Sequence, residues 1–263
     1  MNVNGKLVVV SGASSGIGAA LARQLGAERA RVVLLARREE KLQAVARDVE
    51  AAGGEAHVLA VDLSDQAEAG ATASRILEIG VPDVVVNNAG AGEWRYVDET
   101  PPDEAVSMMA LPYFASFWLT RGLVEPMIER GSGQIVMVNS PAWMIPWSGA
   151  TGYACARAAQ HQFAESIRED LRGKGITVSE VTLGEVTSEY FETQAASHER
   201  VPSISTMLIG VLDSDQAAKH VLTTIQRGRE HTMKPFMVRA IYELNRFVPF
   251  MVRGLVRATQ HRR

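Results

Sequence analysis

The chain has 263 residues, 46% hydrophobic and 22% charged, proportions of a soluble globular protein with room for one large domain or two small ones. Its 27 Lys and Arg stand against 30 Asp and Glu, a net charge of −3 that argues against a general nucleic-acid binder. One cysteine, Cys155, excludes an internal disulfide framework, and no apolar run reaches the ~18 residues of a membrane span.

The start, "MNVNGKLVVVSG", lacks the charged-then-apolar layout of a signal peptide, so the expectation is a cytoplasmic protein. The six histidines are scattered with no metal-ligand spacing, and no structural metal is expected.

Short β-branched runs at 6–12, 31–36, 55–62, 83–89, 133–140, 176–184 and 235–238 predict strands. Five of them are apolar almost throughout, as strands covered on both faces are. Helical spacing lies between them. In 39–54, Leu42, Val45, Ala46 and Val49 share one face and Gly53–Gly54 end the pattern. This alternation predicts an α/β fold, a doubly wound parallel sheet of about seven strands in a single domain. The stretch 187–212 has an irregular pattern and reads as an insertion that closes over a site.

"SGASSGIG" (11–18) follows the first strand and opens the first helix. Gly12 permits the tight turn, while Gly16 and Gly18 let the backbone approach a diphosphate at the helix N-terminus. The spacing is G-x-x-x-G-x-G, and its place between strand and helix predicts phosphate binding. The second strand ends "LLARREEKL". Arg37 and Arg38 stand where an acid would take a ribose 2′-hydroxyl, and guanidinium suits a 2′-phosphate, so NADP(H) is expected over NAD(H). The plainer alternative is two solvated arginines paired with Glu39 and Glu40. Asp62 ends the third strand and can reach an adenine amino group. "NNAG" (87–90) ends the fourth, where the backbone can lie close to a cofactor. Taken singly, these are also ordinary turn or cap residues.

The fifth strand ends at Ser140, and thirteen residues later comes Tyr153, in "GYACARAAQ" (152–160). Tyr153 and Arg157 are one helical turn apart and face the same way, as an acid–base pair or a surface pair would. Together "SGASSGIG", "NNAG", Ser140 and Tyr153, in this order and spacing, resemble the short-chain dehydrogenase/reductase family over roughly residues 4–239. The resemblance implies a Rossmann-type subunit, usually a homodimer or homotetramer, in which a nicotinamide cofactor exchanges hydride with a carbonyl or alcohol carbon. It implies Tyr153 as proton donor or acceptor and Ser140 as its hydrogen-bonding partner at the substrate oxygen. It implies cofactor contacts from Gly12, Ser14, Ser15, Gly16, Ile17, Gly18, Arg37, Arg38, Asp62, Leu63, Asn88, Ala89, Gly90, Tyr153, Arg157, Gly184, Val186 and Ser188.

The chain departs from the family pattern at two catalytic positions. Arg157 stands where the family has the lysine that binds ribose and lowers the phenol's pKa. Pro112, or a neighbour that is not Asn either, stands where the family has an asparagine that holds a relay water. Arg157 keeps the charge, but a guanidinium holds its proton too firmly to exchange it readily. Ser188 replaces the family's threonine, and Leu183–Gly184 its Pro-Gly. Two readings follow: a reductase with a modified relay, or a cofactor-binding protein with little turnover. A plainer alternative for Arg157 alone is a solvated residue paired with Glu165.

Between Ser140 and Tyr153, "PAWMIPWSGATG" is rich in apolar groups. Trp143 and Trp147 there, Trp94 and Tyr96 past "NNAG", and Tyr190 and Phe191 in the insertion are candidate walls for a hydrophobic carbonyl or alcohol substrate; core or subunit packing is the equal alternative. From Lys234 onward there are seven Lys/Arg and one acid, leaving 20 against 29 before it. Residues 240–263 form a basic amphipathic extension, with Phe250, Met251 and Leu255 on one helical face and arginines at its rim. It suits an anionic membrane surface, a partner subunit or the pocket mouth.

Overall fold

A computed structural model of the chain describes residues 1–90, 92–187, 197, 200–201 and 210–259. In chain order the elements are β1 (Leu7–Ser11), α1 (Gly16–Ala27), β2 (Arg31–Ala36), α2 (Glu39–Ala51), β3 (Glu55–Ala60), α3 (Gln66–Ile79), β4 (Val84–Asn87), α4 (Pro102–Met109) and α5 (Ala115–Arg130). There follow β5 (Gly133–Asn139), α6 (Thr151–Asp170), β6 (Ile176–Leu183), β7 (Glu185–Val186), β8 (Val211–Leu212), α7 (Ser214–Arg227), β9 (His231–Lys234), α8 (Phe236–Phe247) and α9 (Pro249–Thr259).

Seven strands form one parallel sheet in the order β3-β2-β1-β4-β5-β6-β9, as the alternating pattern predicts. Every residue of β1 and β5 is buried, which is why their sequences show no polar alternation. One face packs Leu21, Leu25, Leu42 and Val221 from α1, α2 and α7; the other packs Ile76, Leu119, Leu123 and Ala164 from α3, α5 and α6. Each fully buried leucine or isoleucine contributes about 1.5–3 kcal/mol against exposure. In α2 the buried residues are the four that share a face in the sequence. The strand order reverses between β1 and β4, opening a crevice at their carboxyl ends.

Two expectations about elements need correction. The last strand is His231–Lys234, not 235–238: Pro235 has no N–H to give the ladder, and Phe236 already begins α8. The insertion is not irregular throughout, because Val211–Leu212 pairs in parallel with Glu185–Val186. Most of 187–212, with Ser188, Tyr190 and Phe191, lies outside the described residues.

Before α5 the helix widens into a π turn at Ala110–Phe114 around Pro112, whose ring removes the N–H of a regular α-turn. At the far end, α9 starts at Pro249 and buries Val252 and Val256 against Ile145, with Met144, Trp147 and Ile241 packed alongside. Asn245 Nδ2 in α8 donates to the Met144 carbonyl at 3.3 Å. Among the described residues, no helix is long and apolar enough to cross a membrane.

Candidate active site

A cavity of about 560 Å³ occupies the crevice above β1, β4, β5 and β6. Its floor is the turn after β1. Gly12 has φ +68° and Gly16 φ +53°, backbone that favours glycine. A Cβ at Gly18 would lie 2.2 Å from the Gly12 carbonyl oxygen, so only glycine lets the helix start pack on the turn. The first turn of α1 has no side-chain cap and no acid, so its N–H groups face the cavity with the positive end of the helix dipole. Asn88 Nδ2 donates to the Ser11 carbonyl at 2.9 Å, and Ser11 Oγ accepts from the Asn88 and Ala89 N–H groups, tying "NNAG" to the turn.

The arginines after β2 divide. Arg38 Nη2 donates to Ser14 Oγ at 3.2 Å and Ser15 Oγ at 2.9 Å, so it arches over the glycine turn and does not turn back to Glu39 or Glu40. Arg37 stays 69% exposed, 3.9 Å from Asp62. Burial opposes ionisation of Asp62, but the Ser64 hydroxyl and N–H and the Arg37 charge outweigh it and hold the carboxyl below the ordinary aspartate range. Asp62 is therefore an acceptor at neutral pH.

At the other end, Tyr153 is 7% exposed, with its ring 5.3 Å from Trp94. Trp94 in turn lies 5.3 Å from Trp147. Ser140 and Tyr153 line the same cavity, with Leu111, Pro141, Trp147 and Val201 supplying apolar wall. Arg157 does not pair with Glu165, which holds Arg168 instead. Its guanidinium lies 5.2 Å from the Tyr153 ring centroid, and Nη1 donates to the Val138 carbonyl and to Gln160 Oε1, both at 3.1 Å. A Cβ at Gly90 would lie 2.5 Å from Arg157 Nη2, so glycine there makes room for the longer side chain. Arg157 Nε is buried without a hydrogen-bond partner.

Three residues that sequence reasoning missed hold this end together. Asn139 Nδ2 donates to the Arg157 carbonyl at 3.1 Å and to Glu180 Oε1 at 2.8 Å, while its Oδ1 accepts from the Ser140 N–H at 2.8 Å. Glu180, 1% exposed, is the acid inside the apolar strand β6, and that interruption was its signal. Fully buried Gln160 links Arg157 to Ser116 Oγ at 3.3 Å, and Ser116 Oγ donates to the Pro112 carbonyl at 2.8 Å. The Pro112 carbonyl, at the position where the family has its asparagine, is thus engaged by a side chain.

The predicted residues that line the cavity are Gly12, Ser14, Ser15, Gly16, Ile17, Arg37, Arg38, Asp62, Leu63, Asn88, Ala89, Gly90, Trp94, Ser140, Trp147, Tyr153, Arg157, Gly184 and Val186. Gly18 lies beneath the turn. Trp143 is not brought to the cavity: it stacks on His161 at 3.6 Å and donates Nε1 to Thr182 Oγ1, which turns its ring behind β6. Among the described residues, metal-ligand spacing occurs at His161, Glu165 and Glu180, outside the cavity, and those groups already bond His161 to Glu180 and Glu165 to Arg168. The glycine floor, the uncapped helix start and the orphaned buried Arg157 Nε all fit a dinucleotide lying from Arg38 to Tyr153.

Residues 6–199 match the model of a family described as short chain dehydrogenase. A short chain dehydrogenase of Pseudocercospora fijiensis is 34% identical over 71% of the chain and 62% of its own length. A fatty acyl-CoA reductase of Acinetobacter baylyi is 30% identical over 69% of the chain and 63% of its own length. The chain thus spans less than two thirds of either relative. A metagenomic short-chain oxidoreductase solved in complex with NADP is 32% identical, with a TM-score of 0.74 over 89% of this chain and 96% of that one.

Proposed function

The chain belongs to the short-chain dehydrogenase family, and from that premise we propose that it is an NADP(H)-dependent reductase of apolar carbonyl compounds. The observation that carries the reading is the convergence of Ser140, Tyr153 and Arg157 on the end of a cavity whose other end is a glycine turn under Arg38. The cofactor, when bound, supplies the hydride. The α1 N-terminus with Ser14 and Ser15 would hold its phosphates, Arg37 and Arg38 its 2′-phosphate, and Arg157 Nε its ribose. Ser140 Oγ donates a hydrogen bond to the carbonyl oxygen, and Tyr153 gives that oxygen its proton. No member of the chain Arg157–Gln160–Ser116–Pro112 releases a proton at neutral pH, so Tyr153 recovers its proton from water in the open cleft.

Trp94, Trp147, Leu111 and Val201 suit a long aliphatic substrate, a direction that the name of the Acinetobacter relative also supports. Tyr113 and Phe114 in the π turn, Phe117 on α5 and Phe163 on α6 form a half-exposed aromatic strip that suits pairing with a second copy. Light scattering of the purified chain should give a multiple of its 28.5 kDa, and a monomer at all concentrations would remove this part.

The test of function is NADPH consumption on a panel of long-chain aldehydes and ketones. Turnover should appear with NADPH, and Arg37→Ala with Arg38→Ala should lower kcat/KM for NADPH by about 10–100-fold while leaving NADH little changed, since two charge-assisted contacts are lost. Equal use of NADH by the wild type would sink the arginine assignment. The second reading, a cofactor-binding protein with little turnover, is favoured by the closed hydrogen-bond chain at Pro112. It wins if NADPH binds, no carbonyl consumes it, and Arg157→Lys creates turnover.

A further inference from the structure

The helices α8 and α9 present an outward face that the reductase chemistry does not use. Twelve large hydrophobic residues are exposed among the described residues, and six of them lie here: Phe236 (72%), Leu244 (44%), Phe247 (78%), Phe250 (73%), Met251 (56%) and Leu255 (44%). These are not the inward residues. Val238, Val252 and Val256 already satisfy the hairpin's packing on the body. At about 100° per residue, Phe236, Leu244 and Phe247 form one stripe of α8, and Phe250, Met251 and Leu255 form one side of α9. Arg239 and Arg246 flank the first stripe, and Arg253 and Arg257 flank Phe250. All four arginines are exposed. The only acid on these helices is Glu243, which faces Arg246 at 3.5 Å. The face therefore combines bulky apolar groups with a row of cations, at the edge of a chain whose remainder is acidic.

We propose that the outward face of α8 and α9 docks on an anionic lipid bilayer, with Phe247 and Phe250 at the acyl boundary and the arginines at the headgroups. Charge decides the occupant. A second copy of the same face would bring Arg239 and Arg253 against like charges with Glu243 as the one acid that these helices offer, whereas an anionic leaflet supplies many negative charges. Apolar insertion and headgroup attraction reinforce each other in this arrangement. The hairpin rests on Ile145, beside the cavity residues Pro141 and Trp147, so docking would bring the apolar end of the cleft close to the lipid. The proposal stands whether or not the chain turns over a substrate.

Co-sedimentation with vesicles tests it. The full chain should pellet with phosphatidylcholine vesicles carrying about 30% phosphatidylserine and not with phosphatidylcholine alone, and raised salt should release it. Phe247→Ser with Phe250→Ser should abolish pelleting. Arg239→Gln with Arg253→Gln should weaken it on the order of tenfold or more. These side chains are exposed, and circular dichroism and thermal melting should match the wild type. Equal pelleting by the Phe variant, equal binding to neutral vesicles, or no binding to either would overturn the proposal. So would self-association in solution that the Phe variant removes, with no vesicle binding.

Discussion

Replacing Tyr153 by Phe is expected to lower kcat on any accepted carbonyl by about a thousandfold, with NADPH affinity within a few-fold of wild type. The size follows from what the substitution removes. The ring is buried and packed against Trp94 and Ala150, so the apolar contacts and the helix survive in Phe. The guanidinium of Arg157 keeps its bonds to Val138 and Gln160, which do not involve the phenol oxygen. Only the oxygen that gives the proton is lost. Neither neighbour substitutes for it: Arg157 holds its proton too firmly, and a serine hydroxyl is a far weaker acid. Single-turnover rates with saturating NADPH separate chemistry from binding. A loss under tenfold would mean that the proton comes from elsewhere and would remove Tyr153 from its role.

Gly18→Ala should act at the other end of the cleft, lowering NADPH affinity by about 100-fold or more and folding stability by about 1–3 kcal/mol. The new Cβ would meet the Gly12 carbonyl oxygen at 2.2 Å and Asn88 Nδ2 at 2.8 Å. The first is backbone in a turn held at positive φ, so it has little freedom to yield. The second is bonded to the Ser11 carbonyl. Relief requires the start of α1 to lift from β1, which moves the N–H groups that would face a diphosphate. Gly70→Ala is the control. It lies in α3 with nothing within 4 Å of its would-be Cβ, so it should be neutral or slightly stabilising and leave NADPH binding untouched. Isothermal titration and thermal melting of both variants read the contrast. Near-wild-type NADPH affinity in Gly18→Ala would show that the turn is not the phosphate site.

Much of this was legible in the chain because the signals are local. Five-residue β1 and seven-residue β5 are buried end to end, and uninterrupted Val, Ile and Met runs report that directly. The turn between β1 and α1 announces itself through glycines whose positive φ or close contacts leave no other residue. The Tyr153–Arg157 spacing is a property of one helix. What sequence pattern could not supply is long-range. Asn139, Glu180 and Gln160 matter only because β5, β6, α5 and α6 converge, and the contacts that join those elements, Asn139 to Arg157 and Glu180 and Gln160 to Ser116, span 18 to 44 positions. Trp143 faces away from the cavity because it stacks on His161, a choice of side that seventeen intervening residues do not reveal. The last strand was misplaced because "HTMK" has no apolar run, while "PFMV" has one that α8 uses as its first turn.

Ile145 touches the tail helices on one side and stands beside the cleft on the other. The C-terminal hairpin and residues 144–147 therefore pack as one unit. A chimera that exchanged the tail alone would leave Ile145 facing the wrong partner, and the disturbance would pass to Trp147 and to Trp94, whose ring lies tilted against it. Within relatives of this chain, the choice of substrate and the identity of the last two helices should drift together, each change in one restricting the changes tolerated in the other.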